Sequence, residues 1–124
     1  MATILIVEDE VFIRQNAEWT IEDLGHSPLT ASDLSGALLH LSGGEGIDAL
    51  FVDIRLGSLP LGGYDIANRA LNIRPMLPVL YTSGTPLNAE MSALFVEGGQ
   101  FLQKPYSVKD LQKSVDALLA TEPR

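Results

Sequence analysis

The chain has 124 residues, about the size of one domain with its own core. Hydrophobic residues make up 46% and charged residues 19%, a globular balance that excludes a disordered chain. Sixteen acidic side chains against eight basic ones leave a net charge of -8, which argues against direct nucleic-acid binding, and the lack of cysteine removes disulfides, thiolate metal sites and cysteine nucleophiles.

The N-terminal stretch from Met1 to Asp9 lacks a basic region, and its apolar run is too short for a signal peptide or a membrane span. A soluble cytoplasmic protein is the expectation. Ile4 to Val7 is a continuous run of β-branched residues and Leu, the pattern of a strand buried on both faces. Ile13, Ala17, Ile21 and Leu24 then form one helical stripe, with Gly25 as its C-terminal stop. Trp19 falls within that helix and is expected to pack. A weak second strand spans Ser27 to Thr30, and a short helix carries Ala37, Leu38 and Leu41 until Gly43, Gly44 and Gly46 turn the chain. Ala49 to Val52 is a third apolar strand that reaches Asp53.

A glycine-rich loop from Gly57 to Gly63 leads into a helix through Ile66, Ala67, Ala70 and Leu71. It lacks the Lys-Ser/Thr ending of a nucleotide phosphate loop. Pro78 to Thr82 reads as the fourth strand. Asn88 suits the N-cap of a helix carrying Met91, Leu94 and Phe95 and ending at Gly98-Gly99. Phe101 and Leu102 mark a short fifth strand. Ser107 caps the last helix, with Asp110 in the capping-box position and a stripe of Val108, Leu111, Val115 and Leu118. Five strand-helix units with short connections imply a parallel, doubly wound α/β sheet covered by helices on both faces. No linker or repeat interrupts them, so residues 1–124 are expected to form a single domain, without an output domain in this chain.

In such a sheet, chemistry gathers at the carboxyl ends of the strands. Those ends here are Glu8-Asp9, Asp53, Thr82-Ser83-Gly84 and Lys104-Pro105. Each has an ordinary reading alone: Glu8-Asp9 as a helix cap, Asp53 as a turn residue, Lys104 as a solvated charge, Thr82-Ser83 as a strand end. Their joint placement on one edge points elsewhere. At about 4 Å and an effective dielectric near 20, each like-charge contact costs roughly 4 kcal/mol, so three carboxylates call for a cation. Oxygen ligands alone favour a hard ion, and Mg²⁺ fits a site with few carboxylates and several waters. With a lysine beside it, such an ion makes a receptacle for a phosphoryl group, and Asp53 can act as nucleophile. His26 and His40 lack partners at metal-ligand spacing and read as structural residues.

The blocks Ile4-Leu5-Ile6-Val7-Glu8-Asp9-Glu10, Val52-Asp53-Ile54-Arg55-Leu56, Pro78-Val79-Leu80-Tyr81-Thr82-Ser83-Gly84 and Lys104-Pro105-Tyr106 stand in order across the chain. Together they resemble the response-regulator receiver family of two-component signalling. The resemblance implies a flavodoxin-like (βα)5 three-layer sandwich with strand order 2-1-3-4-5. It implies Asp53 as phospho-acceptor, and Mg²⁺ held by Asp9 directly, Glu8 mainly through water, Asp53 and the Arg55 backbone carbonyl. Ser83 matches the switch hydroxyl, with Thr82 beside it, and Lys104 matches the lysine that pairs with the phosphoryl group. Phe101 matches the aromatic residue that follows the switch, and the Lys104-Pro105 bond matches a cis position. A sensor histidine kinase or histidine phosphotransfer protein is the implied donor. The implied output is a changed surface on helix four, strand five and helix five.

Departures from the family pattern are also visible. Gly57 stands where a proline is usual, and the glycine that often lies eight residues beyond the acceptor is displaced to Gly63, a loop longer by about two residues. Gly84 replaces the frequent alanine, and Phe101 lacks a tyrosine hydroxyl. Arg55 and Thr85 occupy the two flanking positions that tune acyl-phosphate lifetime in the family; Arg55 alternatively faces solvent or pairs with Asp65. A Mg²⁺-dependent phosphohydrolase is the rival enzyme reading, but Arg55 stands where its second carboxylate belongs. A flavodoxin-like cofactor binder would need a Ser/Thr/Gly-rich cradle in the first strand-helix turn, which is absent.

Overall fold

The computed structural model describes residues 1–120, so the last four positions of the expected domain lie outside the described residues. Strand β1 (Thr3–Val7), helix α1 (Val11–Asp23), strand β2 (Ser27–Ala31) and helix α2 (Leu34–Ser42) are followed by strand β3 (Ala49–Asp53) and helix α3 (Gly62–Ile73). Strand β4 (Val79–Ser83), helix α4 (Ala89–Ser92), strand β5 (Gln100–Gln103) and helix α5 (Val108–Leu119) complete the chain. All pairings are parallel and the strand order is β2-β1-β3-β4-β5, as expected. Among the described residues, no helix is long and apolar enough to cross a membrane.

Successive strand residues point to opposite faces, so each strand feeds two cores. Leu5, Val7, Leu50, Val52, Val79 and Tyr81 pack with α2 and α3, whereas Ile4, Ile6, Ala49, Phe51 and Leu80 pack with α1 and α5. Burial on both faces explains the unbroken apolar runs of β1 and β3. The same alternation carries Glu8, Asp53 and Thr82 onto the α1/α5 face, while Ser83 falls on the other face with Tyr81.

The helix ends follow their caps. Asp33 caps α2 through Gly36 N–H, and Ser107 and Asp110 form the expected reciprocal capping box of α5. The N-cap of α1 is Glu10, whose carboxylate accepts from Phe12 and Ile13 N–H. Neither Glu8 nor Asp9 serves as that cap, which frees both for another role.

Three expectations are corrected. Trp19 is 55% exposed, because it lies two residues from both Ala17 and Ile21 and so on the opposite side of α1. Val108 is also exposed; it lines a groove between α1 and α5, and Leu111, Val115 and Leu118 alone form the buried stripe. Helix α4 is four residues long instead of running to Gly98. Asn88 does cap it through Met91 N–H, but the chain then turns through Leu94 N–H to Met91 C=O and Phe95 N–H to Ser92 C=O. The Val96 N–H, which a longer helix would give to Ser92, donates instead to the buried Tyr81 hydroxyl at 3.0 Å. Phe95 stacks on the same ring at 4.3 Å between centroids, so Tyr81 draws the segment out of helical register.

Tyr81→Phe keeps the ring stack and deletes that acceptor. A loss of about 1 kcal/mol in urea unfolding is expected, with faster amide exchange at Val96; unchanged exchange there would show that the hydroxyl does not hold this segment.

Candidate functional site

Register brings the strand ends level. Val7 pairs with Val52, so Glu8 follows beside Asp53, and Asp53 pairs in turn with Thr82. Lys104 lies just past β5, held by its N–H to the Ser83 carbonyl, and its bond to Pro105 is cis as the resemblance implies. From there its ammonium reaches Glu8 Oε1 at 2.6 Å and Asp53 Oδ2 at 3.2 Å. Glu8 and Asp53 are both buried, at 4% and 6% exposure, and Asp9 is exposed above them.

Burial, aided by the Asp53 charge and opposed by the Lys104 hydrogen bond, pushes the Glu8 carboxyl up to about 7. For Lys104, burial works to lower the pKa, but the hydrogen bond to Glu8 and the Asp53 charge outweigh it and hold the ammonium above its ordinary value. The second Glu8 oxygen accepts from Glu10 N–H at 3.1 Å. Asp9 Oδ2 accepts from Gly57 N–H at 2.8 Å, tying the first strand-helix turn to the glycine-rich loop. Arg14 on α1 donates to the Glu8 carbonyl at 2.9 Å and so anchors the backbone of the acidic pair.

The glycine-rich loop closes on itself through paired hydrogen bonds between Leu56 and Leu59, with Gly57 at φ +58°. Gly63 then donates to the Ile54 carbonyl and lies so close to the end of β3 that a Cβ would sit 2.3 Å from the Asp53 carbonyl oxygen. The close approach gives a physical reason for glycine at position 63. Arg55 is exposed, and Asp65 pairs with Arg69 at 3.1 Å, which removes the Arg55–Asp65 alternative. Arg55, Ser83 and Thr85 line one groove of about 280 Å³ between this loop and α4. Ser83 is half-buried, and its oxygen accepts from Thr85 N–H at 3.1 Å. Phe101 is half-buried and stacks on Phe95, 6.3 Å away, on the face opposite Asp53.

His26 and His40 have structural partners. His26 Nδ1 accepts from Ala2 N–H, and His40 contacts the Thr30 carbonyl and Glu45. Sequence reasoning missed Arg14 and the Gly57 N–H, because a carbonyl anchor five or six residues on and a backbone donor in a loop leave no pattern of residue types. Tyr106 was visible only as part of a motif; its ring packs edge-on against Phe51, and burial with the Glu8 and Asp53 charges pushes its phenol up to about 12.

The donor set suits a hard divalent cation. Glu8, Asp9 and Asp53 each offer a carboxylate oxygen, all within 4.8 Å of one another, with no nitrogen or sulfur ligand among them. Such a set matches the oxygen preference and small carboxylate number of Mg²⁺.

Comparison with known proteins agrees with this geometry. The family model described as response regulator receiver domain matches residues 4–116. A response regulator receiver protein from Sinorhizobium medicae superposes with a TM-score of 0.85 and 31% identity, covering 95% of this chain and 94% of that one. NtrX from Brucella abortus, crystallised with ATP, gives a TM-score of 0.83 and 31% identity over 95% of this chain but 27% of its own. Among curated proteins, the Mycobacterium tuberculosis "Probable transcriptional regulatory protein TcrX" is 25% identical over 94% of this chain and 49% of its own length. The chain therefore spans about half the length of such curated relatives.

The Glu8 environment predicts a pH signature for the metal-free protein. Between about pH 4.5 and 7 the folded state retains a proton that the unfolded chain has released, so stability falls as pH rises through that window. The slope from this one group is at most about 1.4 kcal/mol per pH unit. Urea unfolding of the parent and Glu8→Gln across that range is expected to show the slope in the parent alone. Parallel curves would mean that the Glu8 carboxyl is no harder to ionise in the fold than in the open chain.

Proposed function

This chain belongs to the response regulator receiver domain family of two-component signalling, and on that footing we propose that it is a phosphorylation-operated switch with Asp53 as acceptor. The observation that carries the reading is the Lys104 ammonium bridging Glu8 and Asp53 at the base of a three-carboxylate cluster. Asp9, Asp53, the Arg55 carbonyl and Glu8, the last mainly through water, would hold Mg²⁺. When bound, the ion offsets the negative charge of the carboxylates and of the incoming phosphoryl oxygens.

The donor is a phospho-histidine on a sensor kinase or phosphotransfer protein. An Asp53 carboxylate oxygen attacks phosphorus, the N–P bond breaks as the O–P bond forms, and the electron pair stays with the imidazole. Lys104 already touches Asp53, so it can follow the negative charge onto the phosphoryl oxygens with little movement. The Ser83 hydroxyl accepts from Thr85 while keeping its own proton, and is the group to donate to a phosphoryl oxygen. Phe101 moves with it, and the surface of α4, β5 and α5 changes the affinity for a protein target. The domain assists its own phosphorylation and dephosphorylation and acts as a signalling switch in the cytoplasm, not as a turnover enzyme. The phosphohydrolase alternative has no specific observation in its favour, since Arg55 offers a cation where that chemistry wants a carboxylate.

Incubation with a small phosphodonor and Mg²⁺ should add one phosphoryl group to the parent's mass and none to Asp53→Asn. Equal labelling of both proteins would exclude Asp53 as acceptor.

Arg55, two residues beyond Asp53, and Thr85 share a groove with Ser83, and the exposed Arg55 guanidinium can swing to cover a phosphoryl oxygen from water. An exposed contact of this kind is worth up to about 1 kcal/mol, so Arg55→Ala is expected to shorten the acyl-phosphate half-life by up to about fivefold. Equal half-lives would assign Arg55 to solvent.

A further inference from the structure

Thr82 poses a problem of burial. It is 3% exposed on the α1/α5 face, paired in register with Asp53 and two residues beyond the fully buried Leu80. Valine has almost the same shape and would suit such a position, whereas a hydroxyl there needs a partner. Among the described residues the Thr82 hydroxyl oxygen has none.

Beside it lies a small internal cavity of about 10 Å³, about the space that the centre of one water requires. Three of its walls are polar side chains, Glu8, Thr82 and Tyr106, and the rest are apolar residues of β1, β3 and α1. The Glu8 carboxylate has spare acceptor capacity: one oxygen takes the Lys104 proton and the other takes Glu10 N–H, against about four lone-pair sites in all. The Tyr106 phenol lies within the field of Glu8 and Asp53 and stays protonated, a donor beside two carboxylates.

We propose that Thr82 and Glu8 hold an internal water between them, which makes Thr82 a positioning residue for the acidic site. The Thr82 hydroxyl donates to the water oxygen, and the water donates to the Glu8 carboxylate. Glu8 is thereby braced from beneath the sheet edge as well as from the Lys104 side. The hydration site follows from the fold, and its consequence for cation binding rests on the function proposed above. Partners one step behind a metal ligand fix its orientation, and losing one commonly weakens binding by about 10- to 100-fold; Glu8 acts on the ion mainly through water, which puts the loss expected here at the lower end.

The test pairs two measurements on the parent, Thr82→Val and Thr82→Ser. Water-to-protein cross-relaxation in the metal-free state, by NMR, is expected to show a long-lived water at Thr82 in the parent and Thr82→Ser but not in Thr82→Val. Titration calorimetry with Mg²⁺ is expected to give about tenfold weaker binding for Thr82→Val and near-parent binding for Thr82→Ser. Absence of a long-lived water at Thr82 in the parent, or parent-like Mg²⁺ affinity in Thr82→Val, would overturn the proposal. A parent that binds no Mg²⁺ would strike the switch reading, and the water signal, read without metal, would still decide for or against the hydration site.

Discussion

One ammonium group organises the whole carboxyl edge. Lys104 reaches back from the end of β5 across β4 to Asp53 and Glu8, joining strands that are far apart in sequence. Burying two carboxylates side by side is unfavourable, and burying either beside a lone cation only partly offsets the cost of leaving water. The three charges therefore remain one short of balance, and the raised Glu8 pKa reflects first its burial and then the neighbouring Asp53 charge, which Lys104 only partly offsets. Everything nearby serves to hold this arrangement in place. Arg14 fixes the backbone that carries Glu8, Glu10 N–H and Gly57 N–H orient the carboxylates, and Gly63 lets the loop close down on Asp53 without a side chain intervening.

The parts of this fold that were legible in the sequence are those governed by period and by residue type. Strands buried on both faces cannot conceal themselves, and a Ser-x-x-Asp cap announces a helix start, so β1, β3 and α5 were readable to within a residue or so. The acidic site was legible for a related reason: in a parallel sheet every strand end lies on one edge, so residue types at those ends converge without knowledge of any side-chain conformation. What escaped was set by tertiary contacts. Local pattern favoured a full α4, but the Tyr81 ring and hydroxyl, 14 and 15 residues upstream of the Phe95 and Val96 they hold, overrode it. Trp19 escaped because an aromatic residue was assumed to pack, although the α1 stripe already placed it on the opposite face.

The shortened α4 bears on how the site communicates. Alternation assigns the carboxylate cluster to one side of the sheet and Ser83 to the other, two residues after Tyr81 on the same face. On that second side Tyr64, Tyr81, Phe95 and Phe101 form a continuous run of rings, with centroids 5.6 Å apart from Tyr64 to Tyr81, 4.3 Å to Phe95 and 6.3 Å on to Phe101. Close-packed rings do not deform smoothly; they exchange one arrangement for another. On the reading proposed above, a shift of Ser83 toward a phosphoryl group would act through the strand on Tyr81, two residues away, whose hydroxyl also holds the segment after α4. In the proposed switch, the element tethered to Tyr81 and the ring of Phe101 respond together, because both lean on the same aromatic stack. With a helix of only one turn in this position, the segment that would respond is irregular and held by the Tyr81 hydroxyl and its stack with Phe95, so its rearrangement would need the loss of few helical hydrogen bonds.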